Sequence, residues 1–232
     1  MDMKVVMLRR YPVKAMGGEA LESVELDSRG VSGDRWYAVE DDEGHFASGK
    51  NTRRFRRHDQ VFRYRAKTTA PGIIVVNNVT GRSWTVGDPA LDRDLSHEMG
   101  AAMRVTPESQ VPHQDMGAVS LISTATLDWC ADRWGINSDP RRLRVNIVFS
   151  SDQPFVEESW VGQTVAIGSV SLRIVERTPR CRMIDIDQDG AVASGRWLKP
   201  LASEREMFLA MYAEVTNPGL VSMGDRLSVD AG

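Results

Sequence analysis

One cysteine lies among cationic neighbours that would change its chemistry. Cys181 follows a β-like run and stands in the segment Arg177-Thr178-Pro179-Arg180-Cys181-Arg182, with three arginines within four residues. Cations close to a thiol favour the thiolate, the form of cysteine that binds metals or attacks electrophiles. Cys181 is therefore a candidate metal ligand or nucleophile, and a cysteine with no function in a basic turn is the alternative. The other cysteine, Cys130, lies beside Trp129 on a predicted amphipathic helix, where a core position is expected.

A second group of residues has the chemistry of an anion site. These cationic or polar residues lie near predicted strand ends, and they are Lys14, Arg35, Lys50, Arg144 and Asn146. Arginine gives forked hydrogen bonds to phosphate and lysine gives a point charge, so several such donors facing one pocket would bind an anion. Taken singly, such a residue is more often a solvated group on the surface.

Several common catalytic chemistries lack their motifs in this chain. It has no glycine-rich dinucleotide fingerprint, no Walker loop and no Gly-x-Ser-x-Gly elbow. The four histidines are scattered, which argues against a zinc hydrolase. The two cysteines are too few for a disulfide framework, a four-cysteine zinc site or an iron–sulfur cluster.

The overall composition is that of a folded soluble protein. The 232 residues are 41% hydrophobic and 26% charged, with a formal net charge of -3, so any charge-driven partner must use a local patch. One such patch is the basic stretch from Lys50 to Lys67. No apolar run approaches the length of a membrane span or of a signal peptide, so we expect a cytoplasmic protein without membrane contact.

Short strands dominate the predicted secondary structure. Alternating or apolar runs bounded by Gly and Pro predict strands at 5–8, 21–26, 36–39, 45–47, 61–66, 72–76, 83–86, 118–122, 143–149, 164–167, 170–176 and 208–215. Helices are predicted from Pro89 to Glu98, and from the N-cap Ser123 to Trp134, with Gly135 ending the second. We read 106–117 as a connecting loop. The predicted class is mostly β with a few helices (α+β), divided into a lobe at 1–100 and a domain at 101–232.

An ordered series of short motifs runs along nearly the whole chain. They are YPVK at 11–14, GDRW at 33–36, EGHFASGK at 43–50, LISTATL at 121–127, RLRVNIV at 142–148, ESW at 158–160, Arg180-Cys181, Asp187, Gly190 and NPG at 217–219. In this order they resemble the MOSC proteins, named for the carboxy-terminal domain of molybdenum cofactor sulfurase. That family includes the mitochondrial amidoxime-reducing components and their bacterial relatives.

The resemblance implies a fold and a cofactor. It implies a molybdenum cofactor (Mo-molybdopterin) in a cleft shared by an amino-terminal β-barrel lobe and a carboxy-terminal MOSC β-barrel. Cys181 would be the thiolate ligand of molybdenum, a suitable soft ligand for this metal, and Asp187 would position the loop of Cys181 or serve near proton transfer. The cofactor contacts implied for this chain are Lys14, Arg35, Ser48, Lys50, Ser123, Arg144, Asn146, Arg180 and Tyr212.

The resemblance also implies an activity. The reducing members of the family deliver two electrons to an N–O bond of an amidoxime or N-hydroxy compound and release water. The electrons would come from a separate reductase, ferredoxin or flavodoxin-type protein, because this chain has neither a cluster nor a nucleotide motif. The basic stretch would steer an acidic donor of that kind, and a solvated face is the alternative.

Three residues depart from the family pattern, and two other functions stay open. Ala15 replaces a serine of the longer members, which removes one side-chain hydrogen bond to the cofactor. Arg182 and Met183 stand where smaller apolar residues are common, which leaves the substrate range open.

The main alternative function is a carrier that holds the cofactor, or sulfur as a persulfide on Cys181, without N-reduction. Nucleic-acid binding through the basic stretch is disfavoured by the net charge and by the lack of a stacking motif.

Overall fold

The computed structural model describes residues 2–192 and 194–229. Its strands are β1 (Val5–Arg10), β2 (Glu19–Leu21), β3 (Ser23–Asp27), β4 (Gly30–Val31), β5 (Tyr37–Asp41), β6 (Phe46–Ser48), β7 (Phe55–Arg57), β8 (Tyr64–Thr69), β9 (Gly72–Asn77), β10 (Ser83–Thr85), β11 (Met103–Pro107), β12 (Val119–Ser123), β13 (Ile147–Phe149), β14 (Thr164–Ile167), β15 (Val170–Pro179), β16 (Phe208–Asn217), β17 (Gly219–Ser222) and β18 (Leu227–Val229). Its helices are α1 (Pro89–Met99), α2 (Thr124–Trp134) and α3 (Leu198–Arg205), so the predicted mostly β class is confirmed.

The largest sheet joins both ends of the chain. Its strand order is β18, β14, β15, β16, β12, β13, β1, β2, and β1 pairs with β13 through Leu8 and Ile147. An isolated bridge between Lys4 and Arg226 links β1 to the start of β18, but the strand ladder is not a fully closed barrel. Smaller sheets have the orders β11-β5-β6-β7, β10-β9-β8 and β17-β3-β4.

Two large apolar cores pack on different sheets. One is built on the large sheet and contains Leu8, Leu121, Phe149, Leu172 and Met211, all buried. The other lies under α1 and the smaller sheets and contains Val13, Val61, Tyr64, Leu91 and Leu95. Burying these side chains removes apolar surface from water, which is the main source of stability for each lobe.

Both predicted helices are confirmed, together with their caps. The Asp88 carboxylate accepts a hydrogen bond from the Ala90 amide at 2.8 Å at the start of α1. The Ser123 hydroxyl accepts one from the Thr126 amide at 3.1 Å at the start of α2. Gly135 ends α2 in a left-handed conformation, as its position predicts. Helix α3 was not predicted, because Leu201 is its buried residue and one position gives no apolar periodicity.

Two predicted strands are wrong in part. Of the strand predicted at 143–149, Ile147–Phe149 is observed, because Arg144 has a φ of 54° and turns the chain just before it. In the strand predicted at 61–66, Val61 belongs to a 3₁₀ turn, Asp59–Arg63, and the strand begins at Tyr64. Both segments alternate apolar and polar residues, which predicts a strand, but part of each has a different backbone conformation.

Strands on either side of the predicted division at residue 100 pair with each other. β11 follows the division and pairs with β5, while β1 precedes it and pairs with β13. The boundaries 1–100 and 101–232 stay a prediction. No helix within residues 2–192 and 194–229 has the length and apolar character needed to cross a bilayer.

A glycine in β4 provides a test of the packing between the lobes. A Cβ atom at Gly30, where φ is 119°, would lie 2.2 Å from the carbonyl oxygen of Ala118, just before β12. At Gly87, where φ is 95°, a Cβ atom would meet nothing within 4 Å. We expect Gly30→Ala to lower the free energy of unfolding by about 2–4 kcal/mol and Gly87→Ala by about 1 kcal/mol. Urea unfolding followed by circular dichroism measures both, and equal losses would contradict the close approach.

Candidate functional site

A cleft between the two lobes contains most of the predicted site. Counted to its open mouth, it has about 700 Å³ of empty space. The first half of the chain contributes Lys14, Ala15, Arg35, Ser48 and Asp115, and the second half contributes Ser120, Arg142, Leu143, Arg144, Pro179, Arg180, Cys181, Met183, Ile184 and Tyr212. The cleft therefore combines a half-buried thiol with several cations.

Irregular backbone brings these side chains to the cleft. Cys181 comes two residues after β15 and Arg144 three residues before β13, so both lie at strand ends of the large sheet. Ala15, Arg35 and Arg144 have φ values of 66°, 51° and 54°, in the left-handed region that residues with a Cβ rarely adopt. Such conformations cost of order 1–2 kcal/mol each and tend to cluster at functional sites.

Main-chain carbonyl groups hold the arginines of the cleft. Arg144 donates from Nη1 to the oxygen of Met16 at 2.7 Å. Arg180 donates from Nε to the oxygen of Leu209 at 2.8 Å and from Nη1 to the oxygen of Leu143 at 2.7 Å. Carbonyl groups orient a guanidinium without neutralising it, so these charges remain available to an anion.

Three guanidinium nitrogens at the cleft are buried without a hydrogen-bond partner. They are Nη2 of Arg142, Nη2 of Arg144 and Nη2 of Arg180. Burial lowers the pKa of Arg144 to about 10, and the charge of Arg35 contributes to that shift. Burial also lowers the pKa of Arg180 to about 10. Because an unmade hydrogen bond of a buried donor costs about 1–3 kcal/mol, these donors fit an anionic ligand such as a phosphate group.

The buried Lys14 pairs with Asp115, a more exposed carboxylate at the same cleft. The Lys14 ammonium donates to the oxygen of His113 at 2.5 Å and to the Asp115 carboxylate at 3.0 Å. Burial lowers the pKa of Lys14 to about 8, although the charge of Asp115 acts in the opposite direction. Burial opposes the ionisation of Asp115, but the charges of Lys14 and Lys50 outweigh it and lower its pKa.

The thiol in the cleft differs from the second cysteine. Cys181 is half-buried and lies between Arg180 and Arg182, and its carbonyl accepts a hydrogen bond from the Ile184 amide at 3.2 Å. Cys130 is a fully buried residue of α2, and burial raises the pKa of its thiol to about 12. No group of three or more His, Cys, Asp or Glu suited to a metal ion occurs within residues 2–192 and 194–229. A metal at this cleft would therefore have Cys181 as its protein ligand and need further ligands from a cofactor.

The cleft brings together seven of the residues predicted from the sequence. They are Lys14, Arg35, Ser48, Arg144, Arg180, Cys181 and Tyr212. Four others lie outside the cleft lining: Lys50, Ser123, Asn146 and Asp187. The site roles of all eleven stay predictions.

The four outlying residues have other contacts. The Lys50 ammonium is 4.8 Å from the centre of the Phe55 ring. The Ser123 hydroxyl caps α2, and the side-chain oxygen Oδ1 of Asn146 accepts from the Ser120 hydroxyl at 3.0 Å. The Asp187 side chain is 65% exposed and accepts from Nη1 of Arg142 at 3.4 Å. Two of these contacts lead to cleft-lining residues, Ser120 and Arg142.

Sequence reasoning missed several residues that line the cleft. Arg142 opens the quoted motif RLRVNIV but was not singled out, although its position two residues before Arg144 was a usable signal. Asp115 lies in the loop predicted at 106–117, and nothing in that loop marks it as facing Lys14. Its role depends on how the loop closes over the cleft.

The lowered pKa of Lys14 gives a testable pH dependence. Lys14 is mostly charged at pH 7 and mostly neutral at pH 9, because its pKa is about 8. Sulfate stays a dianion over this range, so we expect its affinity to fall by about tenfold from pH 7 to pH 9 if it binds beside charged Lys14. Isothermal titration calorimetry measures this change. Lys14→Met should bind sulfate weakly at both pH values, and the same pH dependence in that variant would assign the titration to another group.

Two family profiles match this chain in order. The profile of the MOSC domain matches residues 95–228, and that of the MOSC N-terminal beta barrel domain matches residues 2–106. Mitochondrial amidoxime-reducing component 1 of Homo sapiens is 28% identical over 153 residues, which are 60% of this chain and 44% of that protein. Molybdenum cofactor sulfurase of Danio rerio is 34% identical over 65 residues, 28% of this chain and 8% of that protein.

The matched region thus spans less than half the length of these curated relatives. Among solved structures, the YUAD protein from Bacillus subtilis shares the fold, with a TM-score of 0.52, 13% identity, and coverage of 99% of this chain and 96% of that one. With both domain profiles matched in order along the chain, this protein belongs to the MOSC-domain family and carries the MOSC N-terminal β-barrel domain.

Proposed function

We propose that this chain binds the molybdenum cofactor in its cleft and reduces N-oxygenated compounds with electrons from a separate donor protein. The observation that carries the proposal is the convergence of the Cys181 thiol with the buried cations Lys14 and Arg144 and the half-buried Arg180 in one cleft. A related human protein is named for amidoxime reduction, and a related fish protein for the molybdenum cofactor. The substrate class is therefore an amidoxime or another N-hydroxy compound.

The donors of the cleft suit the chemical groups of that cofactor. Lys14, Arg35 and Arg144 would hold its terminal phosphate, and the unpartnered Nη2 of Arg180 offers a further hydrogen bond. Cys181 would bind molybdenum as a soft thiolate ligand. Ser48 and Tyr212 would contact the pterin from the cleft walls, with Lys50, Ser123 and Asn146 supporting them. When bound, the cofactor supplies the two-electron chemistry that breaks an N–O bond.

The reaction also needs two protons, because an amidoxime, two electrons and two protons give an amidine and water. Burial raises the pKa of Tyr212, so its hydroxyl stays protonated at neutral pH and can donate a hydrogen bond to the substrate oxygen. The open mouth of the cleft admits protons from solvent. Asp187 would act on the site indirectly, by fixing the loop of Cys181 through its contact with Arg142.

A basic surface next to the cleft supports docking of an acidic donor protein. Exposed cations of the basic stretch include Arg53, Arg56, Arg57, Arg63 and Arg65. Three of them are paired with carboxylates: Arg56 with Glu43 at 2.6 Å, Arg57 with Asp59 at 2.9 Å, and Arg63 with Glu98 at 3.1 Å. Asp59 also contacts Arg182, the neighbour of Cys181, which brings this surface close to the proposed redox centre.

Replacing Cys181 tests the proposed function directly. In protein expressed in a cofactor-producing host, we expect wild type to contain near-stoichiometric molybdenum and pterin. Cys181→Ala should lose at least about 100-fold of benzamidoxime reduction with a chemical reductant, because the protein ligand of the metal is gone. Metal analysis and the assay are made on the same samples.

Cys130→Ala is the matched control, because it removes a thiol outside the cleft and should keep both metal and activity. The catalytic proposal would be contradicted if wild type lacked molybdenum while a control molybdoenzyme from the same host contained it. That result would leave the carrier function, with cofactor or sulfur bound only transiently. Loaded wild type with no reduction of N-hydroxy compounds would likewise favour a binding protein.

Charge reversal on the basic surface tests the proposed donor docking. Arg53→Glu with Arg65→Glu should slow reduction driven by an acidic flavodoxin-type donor by about tenfold at low salt, because the attractive field is reversed. The rate with a chemical reductant should not change. Arg226→Glu is the control, since this arginine lies at the start of β18. Equal losses with both electron sources would indicate damage to the site instead of to docking.

A further inference from the structure

The segment that carries Cys181 is anchored in two directions. On one side of the cysteine, Arg180 donates to the main-chain oxygens of Leu143 and Leu209, in the lobe of the large sheet. On the other side, Arg182 reaches the first lobe. Its two terminal nitrogens bind the two oxygens of Asp59 at 2.7 and 2.8 Å, and Nη1 also donates to the oxygen of Gly49 at 3.0 Å. Cys181 thus lies between two side chains that bind different lobes.

The contact with Asp59 is specific in geometry. It is a forked pair in which both carboxylate oxygens and both terminal nitrogens take part, and such pairs fix orientation as well as distance. Asp59 opens the 3₁₀ turn Asp59–Arg63 and also accepts from Arg57 at 2.9 Å. The hydrogen bonds from Arg182, more than any other contact, lower the pKa of Asp59 to about 2, so the carboxylate stays ionised at neutral pH.

The energetic weight of this pair on folding is small. The side chains of Arg182 and Asp59 are 39% and 35% exposed, and ion pairs exposed to this degree contribute little to the free energy of unfolding. The pair is therefore better suited to setting a local position than to stabilising the fold. This distinction makes its effect measurable.

Close packing supports the same attachment. A Cβ atom at Gly49 would lie 2.9 Å from Cγ of Met183 and 3.0 Å from Cδ1 of Ile186. The Ser48 hydroxyl is 3.8 Å from the sulfur of Met183. The residues after Cys181 therefore pack directly against residues 48–49 of the first lobe. The Arg182–Asp59 ion pair lies next to this contact.

We propose that Asp59 and Arg182 are positioning residues that fix Cys181 at the junction of the two lobes. The proposal rests on the proposed role of Cys181 as the ligand of the cofactor. It gives a role to Arg182, a residue that departs from the family pattern. Loss of the pair releases the residues after Cys181 from the first lobe while the fold stays intact.

Hydrogen–deuterium exchange of the cofactor-free protein tests the attachment. We expect Asp59→Asn and Arg182→Met each to speed amide exchange in residues 181–187 by about tenfold, with β16 unchanged. Iodoacetamide should alkylate Cys181 at least about fivefold faster in Asp59→Asn, with no change at Cys130. The double variant should exchange no faster than Arg182→Met alone, because Arg182→Met already removes the contact with Asp59. Arg57→Met, which removes the other partner of Asp59, is the control and should match wild type.

Two further measurements keep the result decisive. Thermal unfolding shows whether each variant is folded, and Arg182→Lys, which keeps the charge but not the fork, should give an intermediate exchange rate. In cofactor-loaded protein, Asp59→Asn should lower the molybdenum content or the turnover per molybdenum. The positioning role would be overturned if the folded single variants exchanged amide protons and reacted with iodoacetamide at rates within twofold of wild type. Additive effects in the double variant would overturn it as well. Because exchange needs no cofactor, a wild type without molybdenum would refute the proposed function and leave this measurement valid.

Discussion

The constraint on which this structure depends is the burial of several positive charges around one cleft. Like charges in a medium of low dielectric constant repel each other and are costly to remove from water. Here the cost is offset by oriented carbonyl groups and by an aromatic ring. The guanidinium groups of Arg35 and Arg144 lie 4.8 and 4.3 Å from the centre of the buried Tyr11 ring, whose face attracts cations. Asp34 pairs with Arg35, while Arg144 contacts the oxygens of Ala15 and Met16 and the side chain of Gln188.

These stabilising groups come from distant parts of the chain, and that explains the interlocked lobes. β1 pairs in the large sheet, so Tyr11, which follows it directly, lies beside Arg144, and Lys14 lines the same cleft. β3 pairs with β17, which ties the beginning of the first lobe to the end of the chain. If the two lobes were independent domains, the cleft between them would open and water would reach its arginines. Strand exchange holds the cations in place before any ligand binds, which lowers the reorganisation needed on binding.

Much of the fold was predictable because it depends on local signals. Ser123 and Gly135 fixed the ends of α2, and the alternation in 164–167 fixed β14. The family motifs also pointed to Cys181 and its cations. The partners of those cations were not predictable, because Asp115 reaches Lys14 across 101 residues and Asp59 reaches Arg182 across 123. A left-handed arginine has no sequence signal either, so the turn at Arg144 appeared as a strand.

The attachment of Cys181 on both sides bears on the choice between an enzyme and a sulfur carrier. A carrier must present its sulfur to a partner, so its cysteine benefits from an exposed and movable segment. Cys181 instead lies half-buried in a cation-lined cleft, between Arg180 and Arg182, which bind different lobes. A ligand that stays bound through many turnovers needs such a fixed position, because a displacement of about 1 Å at a reacting centre can cost about a hundredfold in rate. The geometry therefore favours a resident cofactor, and the basic surface favours bringing electrons to it from outside.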